Sequence, residues 1–156
     1  MKSVKLAFQS YDSPHLPEMT DLWIASWRKS YPEIDFEARR GWAVDRFVSL
    51  HADGVDFVLA FDAETADMAG FLTIDRRNGH IDQVVVAISY WGRGVADQLL
   101  SQARRLSPER LRLEVNLDNA AAIALYERHG FRKTGEGVNP NSHRRFAMME
   151  WRAGAV

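Results

Sequence analysis

The chain has 156 residues, of which 46% are hydrophobic and 26% charged, with five Trp, no Cys and a formal net charge of −1. We predict a single cytoplasmic globular domain over residues 1–156, because no run approaches the roughly 18 consecutive apolar residues of a membrane span and no secretory signal opens the sequence. The composition excludes disulfides, thiolate nucleophiles and Cys-based metal sites, and the balanced charge argues against a dedicated nucleic-acid-binding protein.

The first half of the sequence predicts two helices followed by an antiparallel meander. After a short extended segment, Val4–Phe8, apolar residues recur every three or four positions over Leu16–Tyr31, which is typical of an amphipathic helix that ends before Pro32. A second helical repeat covers Phe36–Phe47. Three β-rich segments follow, with an Asn-Gly turn signal before the last, at Val55–Phe61, Gly70–Ile74 and Ile81–Ile88. The third is almost continuously apolar, so we expect a central strand with both faces covered.

The second half predicts a strand, a tight turn, a helix and a second strand parallel to the first. The turn Trp91–Ala96 leads into a helical repeat that is stopped by Ser107-Pro108, and Leu111–Val115 alternates as a strand. The remaining elements are a helix, Ala120–His129, capped by Asp118 or Asn119, and two closing strands, Phe131–Gly135 and Phe146–Trp151. This order predicts an α+β fold, with a mixed sheet and helices on both faces.

Charge is divided unevenly along the chain. Residues 1–82 contain nine Lys/Arg and fourteen Asp/Glu, whereas residues 83–156 contain eleven and seven. Five Arg and only two acidic residues lie between positions 91 and 112, around the glycine turn. The second half therefore favours an anionic ligand, and the first half favours a cationic one.

The turn Trp91–Ala96 is a candidate anion site. Backbone N–H groups at a helix N-terminus are free to bind phosphate, and the two glycines of this turn let the backbone approach a ligand closely. A Walker loop is excluded because no Lys lies between Lys29 and Lys133, and the dinucleotide fingerprint requires Gly where Asp97 stands. On its own, the turn is equally compatible with a βα connection that binds no ligand.

A second motif follows at Val115–Phe131, and here the sequence resembles the GNAT N-acetyltransferase superfamily. The family pattern of a strand, an Asn, a helix with Ala-Ile-x-Leu-Tyr and then Gly-Phe is matched at Val115, Asn116, Asn119, Ala122, Ile123, Leu125, Tyr126, Gly130 and Phe131. The acyl-CoA loop of the family, usually Gln/Arg-x-x-Gly-x-Gly/Ala, aligns at Trp91–Ala96, where Trp91 departs from the Gln/Arg. The resemblance covers about residues 81–137. It implies a mostly antiparallel sheet whose central parallel strands are splayed for coenzyme A.

The resemblance also implies acetyl-CoA as the cosubstrate. Backbone amides of the loop would hold its pyrophosphate, and amides of the first parallel strand would bind the pantetheine arm and polarise the thioester carbonyl. The implied cofactor residues are Val84, Val86, Gly92, Arg93, Gly94, Val95, Ala96, Asn119 and Tyr126. Asn119 is equally compatible with a helix cap.

Tyr126 matches the general acid of the family, which would protonate the departing CoA thiolate; the alternative is a tyrosine of the hydrophobic core. Asp82 is the leading candidate for the general base, followed by His80 and Glu114, and each has an ordinary structural role as its alternative. Without Cys, the amine would attack acetyl-CoA directly in a ternary complex. The spacing of the five His predicts no metal site.

For the acceptor, the resemblance places the first helices at one wall of the cleft, so that Trp27 and Tyr31 line a pocket unless they belong to the core. The loop 137–145 would form the other wall, and Arg144 would bind an acceptor carboxylate. The expected acceptor is the primary amine of a small molecule, amino acid or peptide. The alternatives are a non-catalytic acetyl-CoA sensor and a nucleotide-binding enzyme. Family members are often dimers, which leaves a homodimer open.

Overall fold

The computed structural model describes residues 3–154 and contains one seven-stranded sheet with helices on both faces. The strands are β1 (Leu6–Ser10), β2 (Asp56–Asp62), β3 (Met68–Asp75), β4 (His80–Val86), β5 (Arg110–Asn116), β6 (Arg132–Val138) and β7 (Arg145–Arg152). The helices are α1 (Leu16–Ser30), α2 (Arg40–Ala52), α3 (Val95–Leu106) and α4 (Ala120–Arg128). Within the described range, no helix is both long and apolar enough to cross a membrane.

The strand order is β1-β2-β3-β4-β5-β7-β6, and every neighbouring pair is antiparallel except β4 and β5. Helices α1 and α2 cover one face, where Trp23, Phe47 and Phe71 belong to one buried cluster. Helices α3 and α4 cover the other face, where Leu99 and Leu111 belong to a second cluster. The predicted α+β class with a central parallel pair is confirmed.

The parallel strands β4 and β5 part soon after they meet. They pair at one register position, His80 with Arg112, next to which the Arg112 N–H donates to the Gly79 carbonyl at 2.9 Å. Both strands are fully described, and no second register pair joins them. Each is paired on its other side instead, β4 with β3 and β5 with β7. A gap therefore opens between them toward their carboxyl ends.

The predicted strand Ile81–Ile88 extends two residues past the observed end of β4 and begins one residue after its start. β4 ends at Val86, and residues 88–90 form a short 3-10 turn in which Ile88 is 42% exposed. The apolar sequence continues past the bend and so does not mark the end of the strand. Coverage of both faces is also incomplete: Ile81 and Val85 are buried, whereas Val84 and Val86 are half-buried because they border the gap. Other boundaries differ as well. β1 lies two residues later than predicted, and β3 begins two residues earlier, at Met68. α2 begins at Arg40 after a 3-10 turn, and β6 continues to Val138.

A glycine in β3 allows β4 and α3 to lie close to the centre of the sheet. A Cβ atom added to Gly70 would lie 2.4 Å from the Val85 carbonyl oxygen and 3.3 Å from Val95 Cγ1. Val95 is the first residue of α3, so this small residue brings the glycine turn next to the end of β4.

We predict that Gly70→Ala lowers the free energy of unfolding by about 1–3 kcal/mol, because the added methyl group meets rigid backbone. Gly41→Ala is the control: its Cβ meets nothing within 4 Å, and alanine in a helix should add up to about 1 kcal/mol. Urea unfolding of both variants checks this. Equal stability of the Gly70 variant and the wild type would show that the contact relaxes freely.

Candidate functional site

Along the β4 border of the gap, some backbone N–H and carbonyl groups form no hydrogen bond with a neighbouring strand. The Ala87 N–H donates to the Ala69 carbonyl of β3 at 2.8 Å. Because the two ends of a trans peptide point in opposite directions, the Val86 carbonyl points away from β3 and into the gap. The antiparallel ladder alternates, so the N–H and carbonyl groups of Val84 and Val86 both face the gap.

The β5 border follows the same rule. The Leu117 N–H donates to the Arg145 carbonyl at 3.0 Å, so the Asn116 carbonyl of the same peptide points toward the gap. There it accepts a hydrogen bond from the Asn119 N–H at 3.0 Å. The backbone groups of Glu114 face the gap by the same alternation. The two borders therefore present backbone donors and acceptors of the kind that an extended chain with amide groups pairs with.

The glycine turn adds a set of free donors at the start of α3. Gly92 and Gly94 have φ values of +77° and +79°, a conformation that favours glycine. Across residues 3–154, no backbone carbonyl accepts from the N–H groups of Gly92, Gly94, Val95 or Ala96. These four N–H groups lie at the positive end of the helix dipole, where an anion is stabilised.

Arg93 differs from its neighbours in the turn. Its N–H donates to the Tyr90 carbonyl at 3.3 Å, so four of the five predicted loop amides are free and the fifth is occupied. Its guanidinium carbon lies 5.0 Å from the centre of the Tyr90 ring. A contact between Arg93 and a phosphate therefore requires the side chain to leave that ring.

Tyr126 lies in α4, which begins after the carboxyl end of β5. The residue is 9% exposed, and its ring centre is 5.6 Å from that of Phe131. Burial raises the pKa of the Tyr126 phenol to about 12. The hydroxyl has no hydrogen-bond partner in the described part of the chain. Tyr126 belongs to the apolar cluster under α3 and α4, and Val84 and Val86 pack against that cluster. Asn119 caps this helix, since its Oδ1 accepts from the Ala122 N–H at 3.2 Å.

Asp82 lies toward α2, on the opposite face from Tyr126. Arg46 donates to both of its oxygens, at 2.5 Å from Nη2 and 3.3 Å from Nε, and Gln83 Nε2 donates at 3.0 Å. Burial raises the pKa of the Asp82 carboxyl, but the hydrogen bonds from Arg46 and Gln83 outweigh it and hold the pKa below its usual value. The carboxyl is therefore ionised at neutral pH.

The other two candidates for the general base contact each other. His80 Nε2 and Glu114 Oε2 are 2.7 Å apart, across the closed end of the gap. This hydrogen bond lowers the pKa of the Glu114 carboxyl.

The predicted acceptor residues Trp27, Tyr31 and Arg144 form one cluster. The rings of Trp27 and Tyr31 stack with centres 5.7 Å apart, and the Arg144 guanidinium carbon lies 4.7 Å from the Tyr31 ring centre. The Tyr31 hydroxyl donates to Asp118 Oδ1 at 2.6 Å. Arg144 also contacts Asp118 at 3.0 Å and Glu33 at 3.4 Å. An acceptor carboxylate would therefore compete with two protein carboxylates for Arg144.

The sequence does not predict two residues that form hydrogen bonds with the candidate site residues. Arg46 pairs with Asp82 from 36 positions away, and Asp118, considered only as a helix cap, joins Tyr31 to Arg144. Such pairs depend on the packing of α1 and α2 on the sheet. No local pattern in the sequence signals them.

Comparison with known proteins identifies the class of protein that has this fold and site. Residues 16–131 match the Acetyltransferase (GNAT) family, and the chain belongs to that family. The resemblance seen in the two motifs is confirmed. Membership supports acetyl transfer with acetyl-CoA as the general activity. A comparison with curated protein sequences gives no match.

Solved structures share the fold at low sequence identity. YjaB from Escherichia coli is 21% identical, with a TM-score of 0.76 over 97% of this chain and 99% of that chain. The ribosomal-protein-S18-alanine N-acetyltransferase from Escherichia coli is 20% identical, with a TM-score of 0.69 over 97% and 96%. The PaiA N-acetyltransferase from Thermoplasma acidophilum, solved in complex with coenzyme A, is 16% identical, with a TM-score of 0.73 over 95% and 99%.

The ion pair of Asp82 makes a testable contribution to stability. Its folded pKa lies below the unfolded value of about 3.9, so the stabilisation is present above that pH and is lost as the pH falls through the folded pKa. We predict that Asp82→Asn lowers the free energy of unfolding by about 1–3 kcal/mol at pH 7. The difference from wild type should become smaller as the pH falls below about 4.

Asp56→Asn is the matched control. Its partner Arg76 is more exposed, so the expected loss is below about 1 kcal/mol. Urea unfolding at pH 7 and at pH 3 measures both variants. A loss for Asp82→Asn that persists unchanged in acid would contradict the assignment to the ion pair.

Proposed function

We propose that the protein is an N-acetyltransferase that moves an acetyl group from acetyl-CoA to the primary amine of a small molecule, amino acid or peptide. The observation that carries this proposal is the row of backbone groups between β4 and β5 that pair with no neighbouring strand, which leads to the free N–H groups of the glycine turn. The pantetheine arm is an extended chain with two amide groups, and it ends in a pyrophosphate. Its chemistry matches both features.

In the proposed complex, the N–H groups of Gly92, Gly94, Val95 and Ala96 hold the pyrophosphate. The arm lies in the gap along Val84 and Val86. The Val86 N–H, which faces the gap, donates to the thioester carbonyl and stabilises the negative charge that develops on the oxygen during attack.

Tyr126 is the proposed acid for the leaving thiolate. With a pKa of about 12, the phenol stays protonated throughout the neutral range. An alkyl thiolate has a conjugate acid with a pKa near 8.5, so complete proton transfer from the phenol is unfavourable. Tyr126 therefore stabilises the thiolate mainly by donating a hydrogen bond as the carbon–sulfur bond breaks.

Asp82 is the proposed general base. It lies two residues before Val84 on β4, and its ionised carboxyl attracts an ammonium group. The amine nitrogen becomes much more acidic as its bond to the carbonyl carbon forms, so that a carboxylate of low pKa accepts the proton at that stage. His80 and Glu114, at the closed end of the gap, are the second candidates.

The acceptor enters from the side of α1 and α2, where Trp27, Tyr31 and Arg144 form the wall. The chain has no Cys, so the amine attacks the thioester directly while both substrates are bound. Several further points stay predictions: a cytoplasmic location, a single domain over residues 1–156, a homodimer, and the absence of a metal and of a nucleic-acid or membrane partner.

We predict that Tyr126→Phe lowers kcat about 10- to 100-fold and leaves the Kd for acetyl-CoA unchanged, because the ring remains and only the donor is lost. The measurement is CoA release over a panel of amines, amino acids and peptides, with binding followed by calorimetry. Unchanged turnover would remove Tyr126 from the mechanism. Tight acetyl-CoA binding by the wild type without release on any acceptor would favour the alternative, a sensor.

A pair of glycine variants tests the loop. Gly92 and Gly54 have φ values of +77° and +83°, and a Cβ at either meets nothing within 4 Å. Alanine at each should therefore cost a similar backbone strain of about 1–2 kcal/mol. We predict that only Gly92→Ala weakens acetyl-CoA binding, by about tenfold or more, since it moves the donors of the anion site. Calorimetry decides, and equal affinities would place the pyrophosphate elsewhere.

A further inference from the structure

Trp91 makes a contact that the family pattern does not anticipate. It occupies the first position of the acyl-CoA loop, where Gln or Arg is usual. Its indole Nε1–H donates to the Val86 carbonyl at 2.8 Å. This is the carbonyl that points away from β3 and into the gap.

The contact uses the group that the cofactor arm needs. An amide N–H of the arm pairs with β4 only if a carbonyl on the gap side is free, as in an added β-strand. At Val86, the N–H is free but the carbonyl already has the indole as its donor. The indole and the arm therefore compete for one oxygen atom.

The Trp91 side chain also makes few packing contacts for a tryptophan. Its side chain is 40% exposed, and no ring stacking or cation–π contact involves it within residues 3–154. By contrast, the rings of Trp23, Trp27 and Trp42 all lie within 6.5 Å of another aromatic ring. Exchanging the indole donor for an amide donor conserves the number of hydrogen bonds, so the exchange requires little free energy.

We propose that Trp91 is a cofactor-site residue that sets the affinity for acyl-CoA. Its indole covers the Val86 carbonyl in the free protein and leaves that oxygen to an amide N–H of the pantetheine arm on binding. The inference rests on the proposed function, because it takes the arm to lie in the gap. No covalent step is involved.

The test compares Trp91→Phe with Trp42→Phe. Phenylalanine keeps an aromatic ring and removes the competing donor, so the Kd of Trp91→Phe for acetyl-CoA should fall about three- to tenfold. Trp42 is exposed and lies on α2, and its replacement should leave the Kd unchanged. Calorimetry with acetyl-CoA measures both, and urea unfolding confirms that each variant is folded.

Tryptophan fluorescence emission gives a second measurement, which should not change on binding if Trp91 has only a structural role. Acetyl-CoA should change the emission of the wild type and of Trp42→Phe, and the change should be lost in Trp91→Phe. An equal or weaker affinity of Trp91→Phe, or an emission change that survives in it, would overturn the inference and leave the proposed function standing. Failure of the wild type to bind acetyl-CoA would overturn both.

Discussion

The separation of β4 from β5 after one register pair is the constraint on which the site depends. Each strand is held along its outer edge, β4 by β3 and β5 by β7, so neither is free to close the gap. The backbone groups that border it have no strand partner, and an unpaired polar group costs about 1–3 kcal/mol when it is buried. In the proposed complex, the amide groups of the pantetheine arm complete the sheet, so that binding of acetyl-CoA would also stabilise the fold.

The two halves of the chain, which differ in net charge, lie on different sides of the gap. The basic second half supplies the glycine turn, α3 and α4, and the acidic first half supplies α1 and α2 on the opposite face. In the proposed complex, the anionic cosubstrate lies on the basic side and a cationic amine approaches from the acidic side, and the two meet at the gap. Much of the surface charge is paired within this plan, as in Arg46 with Asp82 and Arg144 with Glu33. The uneven charge of the sequence therefore describes long-range attraction better than it describes individual contacts.

Local chemistry in the sequence was enough to predict the elements, the parallel pair and the position of the turn. Helical and strand periods follow from which face is buried, and a glycine turn before a helix has few alternative structures. The end of β4 was not predictable, because Ala87 and Ile88 continue the apolar pattern after the chain has bent. The pairing of Tyr31 with Asp118, 87 positions apart, depends on tertiary packing. The same holds for Trp91, whose side chain turns back onto the strand that precedes it.

The two proposed catalytic groups have pKa values displaced in opposite directions by their surroundings. Tyr126 is surrounded by apolar side chains, which disfavour the phenolate, and its pKa rises to about 12. Asp82 is also buried, but Arg46 and Gln83 stabilise its charged form and lower its pKa. Both shifts hold the groups in one protonation state, so that in the proposed mechanism Tyr126 is a hydrogen-bond donor and Asp82 a negatively charged acceptor. Neither group changes its protonation near neutral pH. In the proposed mechanism, the rate would therefore depend on pH through the ionisation of the acceptor amine itself, with a pKa near 10.4 for a lysine-like group.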